Sequence, residues 1–415
     1  MSIGQTLPKP ESWRTPTVIV MCGCIIACIS FGPRSALGLF LTPISQAHGW
    51  GRETFAFAVA LQTLLYGAAQ PFVGAIADRF GTIRVIIAGT LLYAFGIATM
   101  AHATTPGMLY FSNGVLVGFG LSGCSFNLLI AAFGKLLPAS WRSTAFGLGT
   151  ASGSFGQFLF SPLGVSLIDH FGWQAALTTF ALLLLIIIPL AFAVSTPKQS
   201  DLAAGARHQV AGQNYKQALR EALGHRSYIL LVLGFFTCGF QLGFVTVHLP
   251  SYLIDRGLSV EVGGWTLGAI GLFNIIGAMT SGWLGGRMPK RYILSVIYFA
   301  RALTVVALIT LPTSPALALT YGAITGLLWL SSVPPTSGLV ALMFGTRWLA
   351  MLFGIAFFSH QVGGFLGVWL GGVVYERTGS YDAVWWLGVL FGLLSAIINL
   401  PIVEKPIERP VLAPA

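Results

Sequence analysis

The sequence predicts an all-helical membrane protein of twelve spans arranged in two matched six-helix bundles. Three observations predict it: a composition too apolar for a water-facing surface, a succession of apolar runs of spanning length, and a self-similarity at half the chain length. Of the 415 residues, 55% are hydrophobic and 8% charged, and the mean hydropathy is +0.81. A soluble surface needs roughly a quarter charged residues, so most of this surface must face lipid. The net charge of +10 is then a topology signal rather than a nucleic-acid footprint. Cys22, Cys24, Cys28, Cys124 and Cys238 all lie in apolar runs. No His or Cys cluster completes a metal site around them, so they read as small packing residues, and neither a metal nor a cofactor is expected. The first apolar run is too long for a removable signal peptide and lacks a convincing small-residue cleavage site.

A helix needs about 20 mostly apolar residues to cross hydrocarbon. Twelve runs qualify: 17–43, 54–76, 83–102, 108–132, 143–167, 175–196, 228–253, 260–284, 292–311, 317–340, 350–373 and 383–402. The longest polar stretch, 197–227, separates six runs from six. It is expected to link an N-terminal bundle, 1–196, to a C-terminal bundle and tail, 228–415, and to carry a short amphipathic helix around Tyr215–Leu223. Charge alternation tests the count. With both termini cytoplasmic, Arg52, Arg256 and Arg377 fall on the far side, Arg34 and Arg301 fall inside spans, and the rest of the 22 basic residues are cytoplasmic. A missed span would scramble that asymmetry, so it supports the count as well as the orientation.

The halves repeat at an offset of 207–208 residues. At 207, Pro43 falls on Pro250, and Gly147–Gly172 falls on Gly354–Gly379, matching Ser152 with Ser359, Gly156 with Gly363 and Asp169 with Glu376. At 208, Gly74 falls on Gly282 and Arg79 on Arg287. Six spans per repeat is an even number, so both halves keep one orientation and are related by an axis along the membrane normal.

Between the second and third runs the sequence reads Gly74-Ala75-Ile76-Ala77-Asp78-Arg79-Phe80-Gly81-Thr82-Ile83-Arg84. Glycines give a tight turn and close helix approach, and Asp78 with the arginines Arg79 and Arg84 can form an ion pair at a helix end. This loop resembles the G-x-L-A-D-R-x-G-R-K/R signature of the major facilitator superfamily, and with twelve spans and a six-plus-six repeat the resemblance covers essentially the whole chain. It implies that fold, a cytoplasmic latch at Gly74, Asp78, Arg79, Gly81 and Arg84, and gradient-driven transport by alternating access. In the second copy Gly286 stands where Asp78 does, so the carboxylate of a second latch is lost. "GPRSALGLFLTPI" and "SHQVGGFLGVWLGG" look most like the bacterial branch around monocarboxylate porters and oxalate/formate antiporters. That branch usually has an arginine in the eighth helix, where this chain has Ala278.

Ionisable groups inside a membrane are costly and mark functional candidates. No Asp or Glu lies in the middle of a span, which leaves Arg34, Arg301, His248 and His360. Arg34 follows Pro33 about a dozen residues from the outer end of its run, roughly 15 Å deep. Its guanidinium is always charged and forks onto carboxylates. Either it binds an anionic substrate or it bonds backbone carbonyls, and the first is favoured. Arg301 sits in a helix that the resemblance makes peripheral, so a structural role is favoured. His248 and His360 lie in helices that line the cavity in the family. Each is either a proton carrier or a satisfied packing histidine, with His360 the better site candidate because Gln361 follows it. Gln62 and Tyr66 share one helical face. Asn127, Gln157, Asn274 and Trp329 are further candidates for lining the cavity. Gln241, the repeat-mate of Arg34, is expected to face it across the pseudo-axis. Together these give an expected transporter of a small organic anion, a carboxylate first, by proton symport or anion exchange, in the cell inner membrane, as a monomer and not an enzyme. The alternatives are a larger or neutral cargo such as a drug, a flavin vitamin or a siderophore, and more remotely a membrane sensor or enzyme.

Overall fold

The computed structural model of the chain describes residues 13–196, 215–345 and 348–407. Among the described residues eleven helices are long and apolar enough to cross a membrane, and Ala139–Phe171, 33 residues long, completes twelve spans. The spans are α1 (Pro16–His48, tightened to a 3-10 turn at Leu37–Phe40), α2 (Arg52–Phe80), α3 (Thr82–Met100), α4 (Pro106–Leu136), α5 (Ala139–Phe171), α6 (Trp173–Ala191), α7 (Arg226–Asp255), α8 (Val260–Gly285), α9 (Lys290–Thr310), α10 (Pro315–Phe344), α11 (Leu349–Thr378) and α12 (Asp382–Asn399). Each expected run falls on one of them. Of the polar stretch 197–227, residues 197–214 lie outside the described residues, and the remainder holds a helix, Tyr215–Gly224.

The repeat seen in the sequence is also a repeat of helix punctuation. The fourth helix of each half starts in the same way. Thr105 and Ser314 each accept a hydrogen bond from the backbone N–H three residues on, and a proline follows at the first helical position, which satisfies end groups that have no helical partner. Gly172 and its mate Gly379 lie just past the ends of α5 and α11 at φ +82° and +69°, a conformation that costs any residue with a Cβ. Both fourth helices are interrupted, α4 at Cys124–Ser125 and α10 between Trp329 and Ser332. Ser125 and Ser332 are one repeat apart, although neither interruption was expected from the sequence. Discontinuous helices are tolerated at membrane depth where the freed backbone groups face protein or a cavity.

In the first bundle α1 packs on α5 and α3 on both α4 and α6. In the second, α7 packs on α11, α8 on α10, and α9 on α12. Two seams join the bundles, α2 against α11 and α5 against α8. Without a hydrophobic drive inside lipid, close helix pairs depend on small residues. Gly239 and Gly243 of α7 lie against the backbone of α11 at His360 and Gly364, while Gly363 and Gly367 of α11 lie against the backbone of α7 at Phe236 and Phe240. This interlock places His360 beside the middle of α7. Gly239→Val should wedge α7 from α11 and cost about 1–3 kcal/mol, the usual range for overpacking, lowering the melting temperature in detergent by several degrees. An unchanged melting temperature would show that the interlock carries no strain.

Candidate functional site

The site is built where the two seams meet. At the end opposite the chain termini, Arg52 begins α2, and its guanidinium grips Asp255 at the end of α7 with two bonds, Nη1–Oδ2 2.6 Å and Nη2–Oδ1 2.7 Å. The same group lies 3.9 Å from the centroid of the Tyr375 ring and donates to the Tyr381 hydroxyl at 2.9 Å. The Arg52 backbone N–H donates to Glu376 at 3.1 Å. Burial holds the Tyr381 hydroxyl well above the ordinary tyrosine range, so it keeps its proton. His248 is fully buried beneath it. A carbonyl can only accept, so His248 Nε2 donates to Val368 O at 2.7 Å, while Nδ1 pairs with the Tyr381 hydroxyl at 3.2 Å. The ring is hydrogen-bonded on both nitrogens, which makes His248 a member of this gate. Thr42 and Ser251 share a 3.0 Å hydrogen bond one layer deeper. Gly38 lies directly against the backbone of α7 at Thr246 and Val247, a close approach that a Cβ would prevent. The two bundles are thus pinned together at this end.

At mid-depth the ties are fewer and use neutral polar groups. Gln157 donates to Leu267 O at 3.2 Å across α5–α8. Asn274 donates to Ser154 across the same seam at 2.8 Å, and its oxygen accepts from Leu330 N at the α10 interruption at 2.9 Å. Gln361 donates to Thr63 O across α2–α11 at 3.3 Å. The charged inter-bundle ties described here are gathered at the Arg52 end.

Between these layers stands Arg34. Pro33 sits inside the helix just before it and the 3-10 turn follows. The guanidinium lies 4.8 Å from the centroid of the Tyr66 ring and is half-buried. Among the described residues it has neither a hydrogen bond nor an ion pair. From Tyr66 the lining continues to Phe357, 6.1 Å between ring centroids, and then to His360, which stacks on Phe357 at 5.8 Å with a 4° tilt. His360 bonds Gln361 at 3.0 Å. Arg34, Tyr66, His360 and Gln361 are therefore brought together, with Arg34 and Tyr66 from one bundle and His360 and Gln361 from the other.

Other expected members stand elsewhere. Gln241 does not face Arg34. Its amide nitrogen donates to Gly388 O on α12 at 2.9 Å, and it packs against Gly392, because a buried amide in lipid seeks the nearest carbonyl. Gln62 is fully buried against Gly118 of α4, on the bundle side of α2. Asn127 is exposed just past the α4 interruption. Arg301 donates to Leu328 O at 3.0 Å and to Trp329 O, carbonyls freed where α10 breaks, so it holds Trp329 in place as a structural cation. In the α2–α3 turn, Gly81 adopts φ +86°, and Thr82 and Thr196 bond each other across to the end of α6. Gly74 packs against nothing close. Arg79 lies over the Phe80 ring at 5.2 Å, Arg84 is exposed, and the Asp78 side chain lies outside the described residues. Sequence reasoning missed Arg52, Asp255, Glu376 and Tyr381. The signal was present, since Arg52 is one of three basic residues on the far side and both acids end helices there.

The chain matches the family model described as Major Facilitator Superfamily over residues 23–368, and it belongs to that family. It is 27% identical over 384 residues to the "Uncharacterized MFS-type transporter YcxA" of Bacillus subtilis, covering 90% of this chain and 91% of the relative. It is 24% identical over 409 residues to "Monocarboxylate transporter 13" of Rattus norvegicus, covering 96% and 91%. Among solved structures, the "D-xylose-proton symporter" superposes with a TM-score of 0.72 at 14% identity, covering 95% and 98%. A bacterial homologue of the human lysosomal transporter Spinster, in an inward-facing and unoccupied conformation, also superposes at 0.72, with 13% identity and 95% and 96% coverage. At such identities these structures speak to the fold alone. The chain is a multi-pass membrane transporter and not an enzyme.

Removing one side of a desolvated, bidentate pair leaves its partner unpaired and costs about 2–5 kcal/mol. The Arg52–Asp255 pair is partly solvated, at 14% and 29% side-chain exposure, so a smaller cost of about 1–2 kcal/mol is expected. Arg52→Gln should therefore raise the labelling rate of a Thr42→Cys reporter by a water-soluble maleimide in detergent by about tenfold. An unchanged rate would show that the pair does not hold this end closed.

Proposed function

We propose that this superfamily member is a secondary active transporter of a small organic anion, a carboxylate first, working by proton symport or anion exchange. The observation that carries the reading is the unpaired guanidinium of Arg34 between the bundles. A charge at that depth needs a partner, the spans hold no mid-depth carboxylate, and the guanidinium of Arg34 lies against the Tyr66 ring. A carboxylate fits the fork of the guanidinium, and Tyr66, Phe357 and His360 form a wall for its body. The monocarboxylate transporters among the relatives support the same cargo class. Fold units 1–196 and 228–415 are proposed to rock about this point. With the termini cytoplasmic in a bacterial inner membrane, the Arg52 end faces outward and is the end pinned by charge. Asn127, Gln157, Asn274 and Trp329 are kept as pathway groups that tie or line the bundles, and the Asp78 loop as the cytoplasmic latch.

Thermal-shift screening of the purified protein against acetate, pyruvate, benzoate, oxalate, riboflavin and typical drug cations tests this. At least one carboxylate should raise the melting temperature, and Arg34→Ala should abolish the rise while Arg34→Lys keeps part of it. Stabilisation by a neutral or cationic compound alone, or a carboxylate shift that survives Arg34→Ala, would overturn the anion reading in favour of the larger or neutral cargo.

A further inference from the structure

The rings beside Arg34 form a row that binding of an anion does not by itself require. Tyr66 of α2 lies under the guanidinium, 4.8 Å from centroid to Cζ, and meets Phe357 of α11 edge to face at 6.1 Å with an 80° tilt. Phe357 is parallel to His360 within 4°, at 5.8 Å. His360 meets Phe235 of α7 at 4.9 Å, and Phe235 in turn lies 6.0 Å from Phe353. Arg34 thus stands at one end of a ring row that crosses from the first bundle into the second. The α2–α11 seam fixes the row. A Cβ on Gly67 would stand 2.6 Å from Gln361 Cγ, and one on Gly364 would stand 3.0 Å from Thr63 Cγ2, so the two helices meet closely beside the Tyr66–Phe357 contact. Gln361 bonds His360 Nδ1 at 3.0 Å and Thr63 O at 3.3 Å, which holds the imidazole plane in place. The row is not closed over. Arg34, Phe357 and His360 are each half-buried. One turn along α11 from Phe357, Gly354 has no atom within 4 Å of where a Cβ would stand, so the helix surface there is open.

An aromatic face is electron-rich and its edge electron-poor, so a flat ring gains from offset or edge contacts with other rings that a saturated ring of the same size does not. A carboxylate bonded to Arg34 carries its body away from the guanidinium. The Phe357 centroid lies no farther from that guanidinium than the 4.8 Å and 6.1 Å steps laid end to end. That is about the reach of a benzoate-sized anion bonded to the one and packed on the other. Arg301, the other cation inside the spans, is engaged by the carbonyls of α10, which leaves one guanidinium for one carboxylate. We infer that the cargo is an aromatic monocarboxylate, a planar ring bearing a single carboxylate, and that Phe357 is the residue that selects the ring. The inference rests on the anion reading at Arg34 and narrows it to one class. Short aliphatic acids would satisfy Arg34 and leave the ring row unused. Saturated cyclic acids would receive from it only apolar contact.

Benzoate and cyclohexanecarboxylate isolate the ring from the charge. They share a carbon number and a carboxylate, and the saturated acid is the larger and more apolar, so hydrophobic transfer alone would favour it. By titration calorimetry on the purified wild type, benzoate should bind about three- to tenfold more tightly than cyclohexanecarboxylate, and more tightly than pyruvate. In Phe357→Leu, which keeps an apolar side chain without a ring, benzoate should weaken and its advantage over cyclohexanecarboxylate should vanish. Phe357→Tyr, which restores a ring, should return that advantage. A wild type that binds cyclohexanecarboxylate or pyruvate as tightly as benzoate, or an advantage of benzoate that survives Phe357→Leu, would overturn the inference. The anion reading would still stand in that case, provided that Arg34→Ala abolishes the binding of whichever acid is bound. Binding that survives Arg34→Ala, or a wild type that binds no carboxylate, would remove the anion reading and the inference with it.

Discussion

A permanent positive charge set in apolar surroundings must be neutralised or solvated, and this chain places two such charges, Arg34 and Arg301, in spans that carry no carboxylate at mid-depth. The protein treats them differently. Arg301 is given carbonyls, Leu328 O and Trp329 O, that become available because α10 is interrupted there. Arg34 is given a ring face and room. A cation–π contact is worth about 2 kcal/mol when desolvated, less than the cost of burying a guanidinium, so the first bundle alone leaves Arg34 in electrostatic deficit. That deficit is what a mobile anion can fill.

The second bundle supplies the rest of the surroundings. Gly239 and Gly363 let α7 and α11 touch backbone to backbone, which sets His360 beside the Phe235 ring and its stacked partner Phe357 against Tyr66. The bundles are pinned by charges at one end, through Arg52, Asp255 and Glu376, and by single neutral amides at mid-depth, through Gln157, Asn274 and Gln361. Neutral hydrogen bonds between helices contribute modestly, about 0.6 kcal/mol on average in a membrane. A gradation of this kind suits an interface that must open at one end while keeping its register in the middle.

The architecture was legible because hydropathy, positive charge and the 207-residue offset are properties of sequence order alone. Each expected run became a helix, and the amphipathic helix at Tyr215 was found where the polar stretch had suggested it. The site was legible only in part. Arg34, Tyr66, His360 and Gln361 converge because helix faces and burial cost are periodic and local. Gln241 was misplaced because repeat symmetry relates backbones and not rotamers: its amide found the Gly388 carbonyl on α12. The outer pins were missed because Arg52 and Asp255 had been counted as topology charges, and their pairing is a relation between helix ends far apart in sequence.

The most direct measurement compares a carboxylate with its uncharged twin on the same protein. By titration calorimetry, the purified transporter should bind the carboxylate that stabilises it at least about tenfold more tightly than the corresponding methyl ester, since the ester removes about 1.4 kcal/mol or more of charge pairing with Arg34. Equal or tighter binding of the ester would contradict the assignment of Arg34 as the anion's partner.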